Sequence, residues 1–181
     1  MKFVPIPLPG AYLIGLEPFK DERGWFARTY CKHEFSSIGH DREWLQLNHS
    51  FTGNKGTIRG MHYQLPPFSE IKLVRCIAGA VFDVVIDLRK DSATFLQWFG
   101  VELSAANQQM IYIPDGFAHG FQSLTENTEL IYHHSQVYTP GVEGGIRYDE
   151  PMIKIKWPLP LTSISERDKD HPFLDNNFKG I

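Results

Sequence analysis

The stretch that decides the fold reads IRGMHYQ at residues 58–64 and, after a short Pro-containing link, IKLVRCIAGAVFDVVIDL at residues 71–88. Both runs carry β-branched and aromatic residues, and Gly, Pro or Ser residues bound them, which is typical of strands. Ala78-Gly79 is a tight-turn signal that divides the longer run into two strands. Outward from this stretch the same pattern predicts strands at 11–14, 25–29, 44–50, 58–64, 71–77, 80–88, 97–103, 109–113, 119–124, 129–138 and 153–157.

Many short strands with few helix signals predict an all-β protein, a sandwich or barrel and most specifically a jelly-roll β-barrel. We expect one helical turn at 32–38 and another after Ser165. A chain of 181 residues suffices for one core, so we expect a single domain over 1–181. A tail from about residue 158 is expected to pack on the barrel.

Composition excludes several classes of partner. The net charge of −3 and the pI near 6.2 argue against nucleic acid and anionic membranes held by bulk electrostatics. No apolar stretch is long enough for a membrane-spanning helix. Cys31 and Cys76 have neither metal-site spacing nor the density of a disulfide framework, so a cytoplasmic location is expected.

Two predicted hairpins position polar side chains. A turn at Ala78-Gly79 would pair Val74 with Asp83, which puts Lys72 diagonally across from Asp83 on the same face. A loop at 125–128 would pair Phe121 with Tyr132 and place His119 on the face of Tyr132. A slip of one residue in either register would move every side chain to the other face.

Strand interiors contain an unusual set of polar side chains. A single His or Tyr in a strand could face water, but several fall by parity on one face, which indicates a site inside the barrel. An imidazole such as His62 can remove a carbon-bound proton beside a ketone, and a cation such as Lys72 can stabilise the enolate. Tyr132 could return the proton from the opposite face, and Asp83 would hold Lys72 charged and aimed. The set is Arg59, His62, Gln64, Lys72, Arg75, Asp83, His119 and Tyr132.

The chain resembles the dTDP-4-dehydrorhamnose 3,5-epimerase family from about Phe19 to Leu174. The resemblance implies a cupin-type jelly roll, usually a homodimer, that inverts C3, C5 or both of a nucleotide-linked 4-keto-6-deoxyhexose without a metal or organic cofactor. The motifs that carry it are RGMHYQ (59–64) and KLVR (72–75), with DERG (21–24), NHS (48–50), DLR (87–89), DSATF (91–95), IPDGFAHGF (113–121) and SERD (165–168).

The resemblance also implies roles for individual residues. His62 matches the catalytic base and Asp168 the carboxylate that orients it, while Tyr132 matches the acid on the opposite face and Lys72 the enolate stabiliser. Gln46 and Asn48 match a nucleotide-contact segment, and Tyr138 matches a residue that stacks on the base. The positions that match contacts to the substrate or its diphosphate are Arg23, Arg59, His119, Glu143 and Arg167.

Several positions depart from the family pattern. Arg28 stands near the nucleotide where Glu is usual, and Leu47 replaces a usual Asp between Gln46 and Asn48. Glu70 occupies a usual Gln position before the lysine, and residues 133–136 read HHSQ where Lys-Thr-Thr-Asp-like residues are typical. The sequence therefore leaves open whether the nucleotide is dTDP, CDP or GDP.

Two other functions stay open at this point. His119 follows PDGFA, a spacing that resembles the second metal motif of cupins, so a metal-dependent cupin would use His62, Gln64, Glu70 and His119. The first metal motif is normally His-x-His and reads HYQ here, and an amide oxygen is a poor ligand for a transition metal. A non-catalytic cupin that binds sugar nucleotides is the second alternative.

Overall fold

Short strands dominate the chain, and the computed structural model describes all residues from 1 to 181. The strands are β1 (Lys2–Pro5), β2 (Tyr12–Gly15), β3 (Phe19–Asp21), β4 (Gly24–Phe26), β5 (Gln46–Thr52), β6 (Ile58–Gln64), β7 (Lys72–Ala78), β8 (Ala80–Asp87), β9 (Trp98–Ser104), β10 (Gln109–Ile113), β11 (Phe117–Ser123), β12 (Thr128–His134) and β13 (Glu143–Gly145). The helices are α1 (Lys32–Phe35), which a 3₁₀ turn (Ser36–Ile38) extends, and α2 (Glu166–Lys169).

Two antiparallel sheets face each other across the core. The first sheet has the order β1-β2-β10-β7-β12-β5, the second has the order β13-β6-β11-β8-β9, and β3 and β4 form a separate hairpin. From β5 onwards almost every strand crosses to the opposite sheet, with β8 and β9 as the exception. This alternation is that of a jelly roll, and the predicted fold class is therefore confirmed.

Both predicted hairpins are wrong. β7 pairs with β10 and β12 in the first sheet, whereas β8 pairs with β9 and β11 in the second. Likewise β11 and β12 lie in different sheets. Turn residues mark a change of direction but do not show whether the chain returns beside the strand or crosses the core. The chain makes such a crossing at Gly79, which has φ +69°. Glycine is needed at this position because a side chain there would overlap Thr125.

Most strand positions agree with the sequence prediction, and two strands match it residue for residue: Ile58–Gln64 and Gln109–Ile113. The predicted helical turns at 32–38 and after Ser165 are also present. The strand expected at 153–157 is absent, and Lys154 there has φ +57°. The sequence pattern missed β1, β3 and β13. No helix has the length and apolar character needed for a membrane crossing.

The space between the sheets is apolar at one end and polar at the other. Val74, Val81, Val85, Ile111 and Phe121 belong to a fully enclosed cluster that joins the two inner faces. Each such side chain contributes roughly 1.5–3 kcal/mol when it leaves water. The tail covers the outer face of the second sheet, because its apolar side chains pack on a cluster there. These tail residues are Leu174, Phe178 and Ile181.

Asp87 anchors the loop that follows β8. Its carboxylate accepts hydrogen bonds from Arg89 Nε (2.9 Å), Ser92 Oγ (2.7 Å) and Thr94 Oγ1 (2.6 Å), and also from the backbone N–H of Arg89. Burial opposes ionisation, but these donors outweigh it and lower the pKa of Asp87 to about 2. The motifs DLR and DSATF are thereby explained as a structural anchor.

An Asp87→Asn substitution tests this anchor. The folded-state pKa of about 2 lies below the ordinary value of 3.8. Ionised Asp87 therefore stabilises the fold fully at pH values above its ordinary pKa. The variant should lose about 2 kcal/mol of unfolding free energy at pH 7, and the difference from wild type should shrink as the pH falls toward 2. Urea denaturation at several pH values measures this. Asp149→Asn, which breaks the surface pair with Arg147, is the control and should cost less than about 1 kcal/mol.

Candidate active site

The polar end of the interior opens into a cavity of about 370 Å³, here called the central cavity. Both sheets contribute to its wall, and only a minority of the lining residues are apolar. A second cavity of about 490 Å³ adjoins it, since Arg59 and His62 line both. The side chains around the central cavity are Asn48, His49, Ser50, Arg59, His62, Lys72, His119, Phe121, Tyr132 and His134, together with the backbone of Gly120.

The first sheet supplies a cation and a phenol through strand alternation. Lys72 lies directly opposite His134, and Tyr132 is opposite both Val74 and Asn48. Residues 132 and 134 share a face because side chains alternate along a strand. The inner face of β7 and β12 therefore changes from apolar to polar along its length, and Lys72 lies at the polar end.

The second sheet supplies histidines and an arginine. His62 lies directly opposite His119, and Phe121 is opposite Arg59. Residues 59 and 62 would point to opposite faces of a regular strand, but the register shifts between them, so both side chains reach the same side. Gly60 allows this bulge: it has φ +121°, and a Cβ there would lie 2.6 Å from Gly120 Cα.

His62 is hydrogen-bonded to Asp168, as the sequence predicted. The two atoms, His62 Nε2 and Asp168 Oδ1, are 2.7 Å apart, and Asp168 Oδ2 accepts the Gly60 N–H at 3.0 Å. Burial opposes ionisation of Asp168, but the bonds from His62 and Gly60 lower its pKa overall. Because an ionised carboxylate only accepts, His62 donates from Nε2, and Nδ1 is the ring nitrogen that remains for proton transfer.

Lys72 has a different carboxylate partner from the one predicted. Its Nζ lies 3.2 Å from Glu70 Oε1 and donates to the backbone oxygen of His62 at 3.2 Å. Asp83 does not hold Lys72: β7 and β8 are not paired, so the predicted cross-strand contact is not formed. Asp83 instead accepts from His119 Nε2 at 2.9 Å, so it orients that imidazole in the way that Asp168 orients His62.

Tyr132 faces the central cavity from the first sheet. Its hydroxyl lies 3.1 Å from Ser50 Oγ, and its ring packs edge-on against His119 with centroids 6.2 Å apart. His119 and Tyr132 therefore line the same cavity, but they meet across the interior and not within the predicted hairpin. Burial raises the pKa of Tyr132 to about 12, so the phenol keeps its proton at neutral pH.

The predicted nucleotide-contact residues form a hydrogen-bonded edge next to the central cavity. Gln46 Nε2 donates to Asn48 Oδ1 at 3.1 Å, and Gln46 Oε1 accepts the Tyr138 N–H at 3.0 Å. The hydroxyl of Tyr138, a half-exposed residue, donates to Glu143 at 2.7 Å, and Arg167 lies 3.5 Å from the same carboxylate oxygen. This nucleotide edge, residues 46, 48, 138, 143 and 167, connects to the cavity through Asn48.

Two predicted binding residues belong neither to the central cavity nor to the nucleotide edge. Arg23 is on the β3–β4 hairpin, where its exposed guanidinium pairs with Asp21. Arg28 lines a separate shallow depression and lies 3.8 Å from Glu34. Neither residue is brought together with His62 by this fold.

Sequence reasoning missed the role of His134 and of Ser50 in the lining. Strand parity alone could have placed His134 beside Tyr132, since the two are separated by one residue in β12. His133 points to the other side and packs edge-on against Trp44. The sequence identified Glu70 as a candidate metal ligand and as a departure from the family pattern, but its bond to His134, 64 residues further along the chain, is not visible in the sequence.

The alternative metal set is not assembled. Gln64 donates to backbone oxygens of Phe68 and Val137, whereas Glu70 and His119 bond to other side chains. The one group with metal-ligand proximity is His62, Asp168 and His171, whose candidate ligand atoms lie within 4.8 Å of one another. Two of these atoms already form the short bond between imidazole and carboxylate, so the group serves proton transfer better than coordination.

The arrangement suits proton transfer at carbon. The imidazole of His62, the protonated phenol of Tyr132 and the ammonium of Lys72 all face one cavity, from both sheets. Their supporting carboxylates lie behind them: Asp168 behind His62, Glu70 behind Lys72 and Asp83 behind His119. A ketone bound between the sheets would have a base on one side and an acid on the other, with a cation near its oxygen.

Comparisons of sequence and of structure both relate this chain to the same family of known proteins. Residues 5–176 match the family model described as dTDP-4-dehydrorhamnose 3,5-epimerase. A protein of that name from Shigella flexneri is 39% identical over 180 residues, which cover 98% of this chain and 99% of the relative. The crystal structure of the Bacillus anthracis dTDP-4-dehydrorhamnose 3,5-epimerase, with TDP and PPi bound, has a TM-score of 0.92 and 36% identity, covering 96% of this chain and 99% of that one.

A further solved structure differs in the reaction that its name states. ChmJ, a 3'-monoepimerase from Streptomyces bikiniensis in complex with dTDP-quinovose, has a TM-score of 0.87 and 31% identity. The similarity covers 93% of this chain and 86% of that one. The same fold is therefore found in a protein named for inversion at a single carbon.

A Gly60→Ala substitution tests the bulge that aligns Arg59 with His62. The positive φ alone should cost about 1–3 kcal/mol of unfolding free energy, and the overlap with Gly120 should add to that cost. Gly24→Ala is a matched control, because Gly24 has φ +130° with open space around the missing Cβ. Denaturant titration of both variants measures the difference. Equal losses in the two variants would show that the close contact with Gly120 has no energetic weight.

Proposed function

The chain belongs to the dTDP-4-dehydrorhamnose 3,5-epimerase family and is a nucleotide-sugar epimerase of deoxysugar biosynthesis, and from this premise we propose how its residues carry the reaction. The observation that supports the proposal is the shared cavity of His62, Lys72 and Tyr132, with Asp168 behind the imidazole. The substrate is a 4-keto-6-deoxyhexose joined to a nucleoside diphosphate. Its ketone acidifies the hydrogens on C3 and C5.

His62 is the general base in this proposal. Its Nδ1 takes the proton from the carbon beside the ketone, and the resulting imidazolium is stabilised by Asp168 through the 2.7 Å bond at Nε2. The buried carboxylate also holds the ring in one tautomer and orientation. The Gly60 N–H fixes the other carboxylate oxygen, so the angle of the base depends on the bulge in β6.

Lys72 stabilises the enolate. Abstraction of the proton moves negative charge onto the ketone oxygen, and a fixed ammonium in a confined cavity lowers the energy of that charge. Donors of this kind are worth about 10² to 10³ in rate. The bond from Lys72 Nζ to the backbone oxygen of His62 keeps the cation next to the base.

Tyr132 returns a proton to the opposite face of the carbon. Its raised pKa of about 12 keeps it in the acid form, and Ser50 is in place to accept or donate at the hydroxyl during transfer. The base and the acid come from different sheets, and inversion requires that they approach the carbon from different sides.

The nucleotide diphosphate is proposed to bind along Arg59, Arg167 and the nucleotide edge. Arginine matches phosphate oxygens with paired donors, and Tyr138 offers an exposed ring for stacking. We propose that the nucleotide is dTDP, as in the ligands of the solved relatives. The missing carboxylate at Leu47 does not oppose this, because the exposed Leu47 alternates away from Gln46 and Asn48 on β5.

We further propose that the working form is a homodimer. The β3–β4 hairpin exposes Phe19, Trp25 and Phe26, and the outer face of edge strand β5 exposes Leu47 and Phe51. Apolar side chains grouped in this way are typical of interfaces between subunits. Since Arg23 lies on that hairpin and not in its own cavity, it is proposed to complete the cavity of the second subunit.

The whole chain is proposed to act as one domain in the cytoplasm. Residues after 158 supply Asp168, without which the base would lack its orienting group. The unpaired cysteines Cys31 and Cys76 fit a reducing compartment.

Deuterium exchange tests the roles of base and acid. In D₂O the wild type should incorporate deuterium into a dTDP-4-keto-6-deoxyhexose, and His62→Asn should lose this by at least about 10²-fold while it stays folded. Tyr132→Phe should still exchange deuterium but return it largely to the original face, so epimerisation falls more than exchange. NMR reads both quantities from the same sample. Undiminished exchange in His62→Asn would refute the base assignment.

Complementation tests whether Arg23 acts in the second subunit. Arg23→Ala and His62→Asn should each be impaired, and subunit exchange between them should restore activity, because a mixed dimer contains one cavity with both residues intact. Mixing His62→Asn with Lys72→Met is the control, since both residues belong to the same cavity and no combination repairs it. Light scattering follows the dimer mass, which should be twice 20.8 kDa. A monomeric wild type, or equal recovery in both mixtures, would contradict the proposal.

A further inference from the structure

A buried carboxylate connects the cation of the site with a histidine outside the proton-transfer set. Glu70 Oε1 lies 3.2 Å from Lys72 Nζ, and Glu70 Oε2 lies 2.6 Å from His134 Nδ1. All three side chains are close to or more than nine-tenths buried, with 11%, 8% and 12% of their surface exposed for Glu70, Lys72 and His134. A carboxylate so placed needs both partners, because an unpaired buried charge costs several kcal/mol.

The hydrogen bonds around His134 have a defined direction. Asn48 accepts from Gln46 at Oδ1, so its Nδ2 is the donor to His134 Nε2 at 3.3 Å. The other ring nitrogen, Nδ1, donates to Glu70, which the His134 and Lys72 contacts keep ionised. His134 is therefore neutral with its proton on Nδ1, and it joins the nucleotide edge to the carboxylate that faces Lys72.

His134 also supports the acid. Its ring stacks on Tyr132 with centroids 6.0 Å apart and planes inclined by 20°. Because hydrogen bonds hold the His134 ring at both nitrogens, the ring limits the movement of the Tyr132 side chain on which it stacks. One imidazole thus contacts the side chain proposed as the acid and, through Glu70, reaches the proposed enolate stabiliser.

We propose that Glu70 and His134 are a positioning pair that ties Lys72 and Tyr132 to the nucleotide edge, so that binding of the nucleotide and alignment of the reacting groups are coupled. In this proposal both residues act through Lys72 and Tyr132 and take no part in proton transfer. The proposal rests on the epimerase mechanism above and adds to it a route from Asn48 to Lys72. Filling the nucleotide edge orders Asn48, which orders His134, which in turn fixes Glu70 and the ammonium.

Two substitutions of His134 separate its two bonds. In His134→Gln the side-chain amide can still reach Asn48, but the donor to Glu70 is lost. In His134→Asn the amide nitrogen takes the place of Nδ1 and keeps the bond to Glu70, while the bond to Asn48 is lost. We expect His134→Gln to lower kcat about 10- to 100-fold with little change in KM, as for a misplaced catalytic group. We expect His134→Asn to raise KM about 2- to 10-fold with a smaller change in kcat, as for one lost hydrogen bond.

Glu70→Gln gives an independent measurement on the other member of the pair. It should lower kcat by about the same factor as His134→Gln, and the double variant should be little worse than either single variant because both act through one connection. Glu129→Gln is the matched control: it removes a carboxylate on β12 that is bonded to His49 on the neighbouring β5, and both partners are more exposed than Glu70 and His134. It should leave kcat and KM within about twofold.

The outcomes distinguish this proposal from the mechanism on which it rests. Deuterium incorporation by the wild type and its loss in Lys72→Met establish the mechanism in the same assay. If those hold while Glu70→Gln and both His134 variants keep wild-type kcat and KM, the positioning pair is refuted and the mechanism stands. Changes confined to thermal stability would refute it equally, since a purely structural pair moves Tm without splitting kcat from KM.

Discussion

The imidazoles and the ammonium at the polar end of the barrel depend on carboxylate partners that lie outside the cavity lining. Charged side chains between two packed sheets have little water around them, and an unpaired one would cost more than a typical domain can tolerate. The structure meets this constraint with three carboxylates, Asp168, Asp83 and Glu70, each bonded to an imidazole or an ammonium. The first bond joins the tail to the second sheet, the second lies within the second sheet, and the third joins the loop before β7 to the first sheet.

The same constraint determines which atoms are left for chemistry. Each carboxylate lies behind its partner, so its negative charge stabilises the partner without reaching the substrate. What faces the cavity is an imidazole nitrogen, an ammonium and a phenol, which are the groups that proton transfer beside a ketone requires. An arrangement with the carboxylates in front would repel both the enolate and the diphosphate. The chemistry of the site therefore depends on where each carboxylate lies relative to the cavity wall as much as on which residues are present.

Much of this site could be predicted from the sequence, because strand parity is a local property. His62, Lys72, His119 and Tyr132 were expected inside the barrel, and all four line one cavity. The pairing of strands is not local, and both predicted hairpins failed for that reason. The error at Asp83 followed directly: once β8 lies in the opposite sheet, its carboxylate reaches His119 and leaves Lys72 to Glu70. The bulge at Gly60 could not be predicted from the sequence either, although the family motif contains the glycine that permits it.

The hydrogen-bond requirement of a buried carboxylate explains why the departures from the family pattern at Glu70 and His134 belong together. A glutamine before the lysine would carry no charge and would need no second partner. A carboxylate at the same buried position is more demanding, because Lys72 reaches only one of its oxygens at 3.2 Å. The histidine at 134, on the neighbouring strand and directly opposite Lys72, satisfies the other oxygen at 2.6 Å. With threonine there, the shorter side chain would leave that oxygen without a donor, so the two replacements are coherent only as a pair. The reacting groups can thus stay constant while the residues that hold them change in a correlated way.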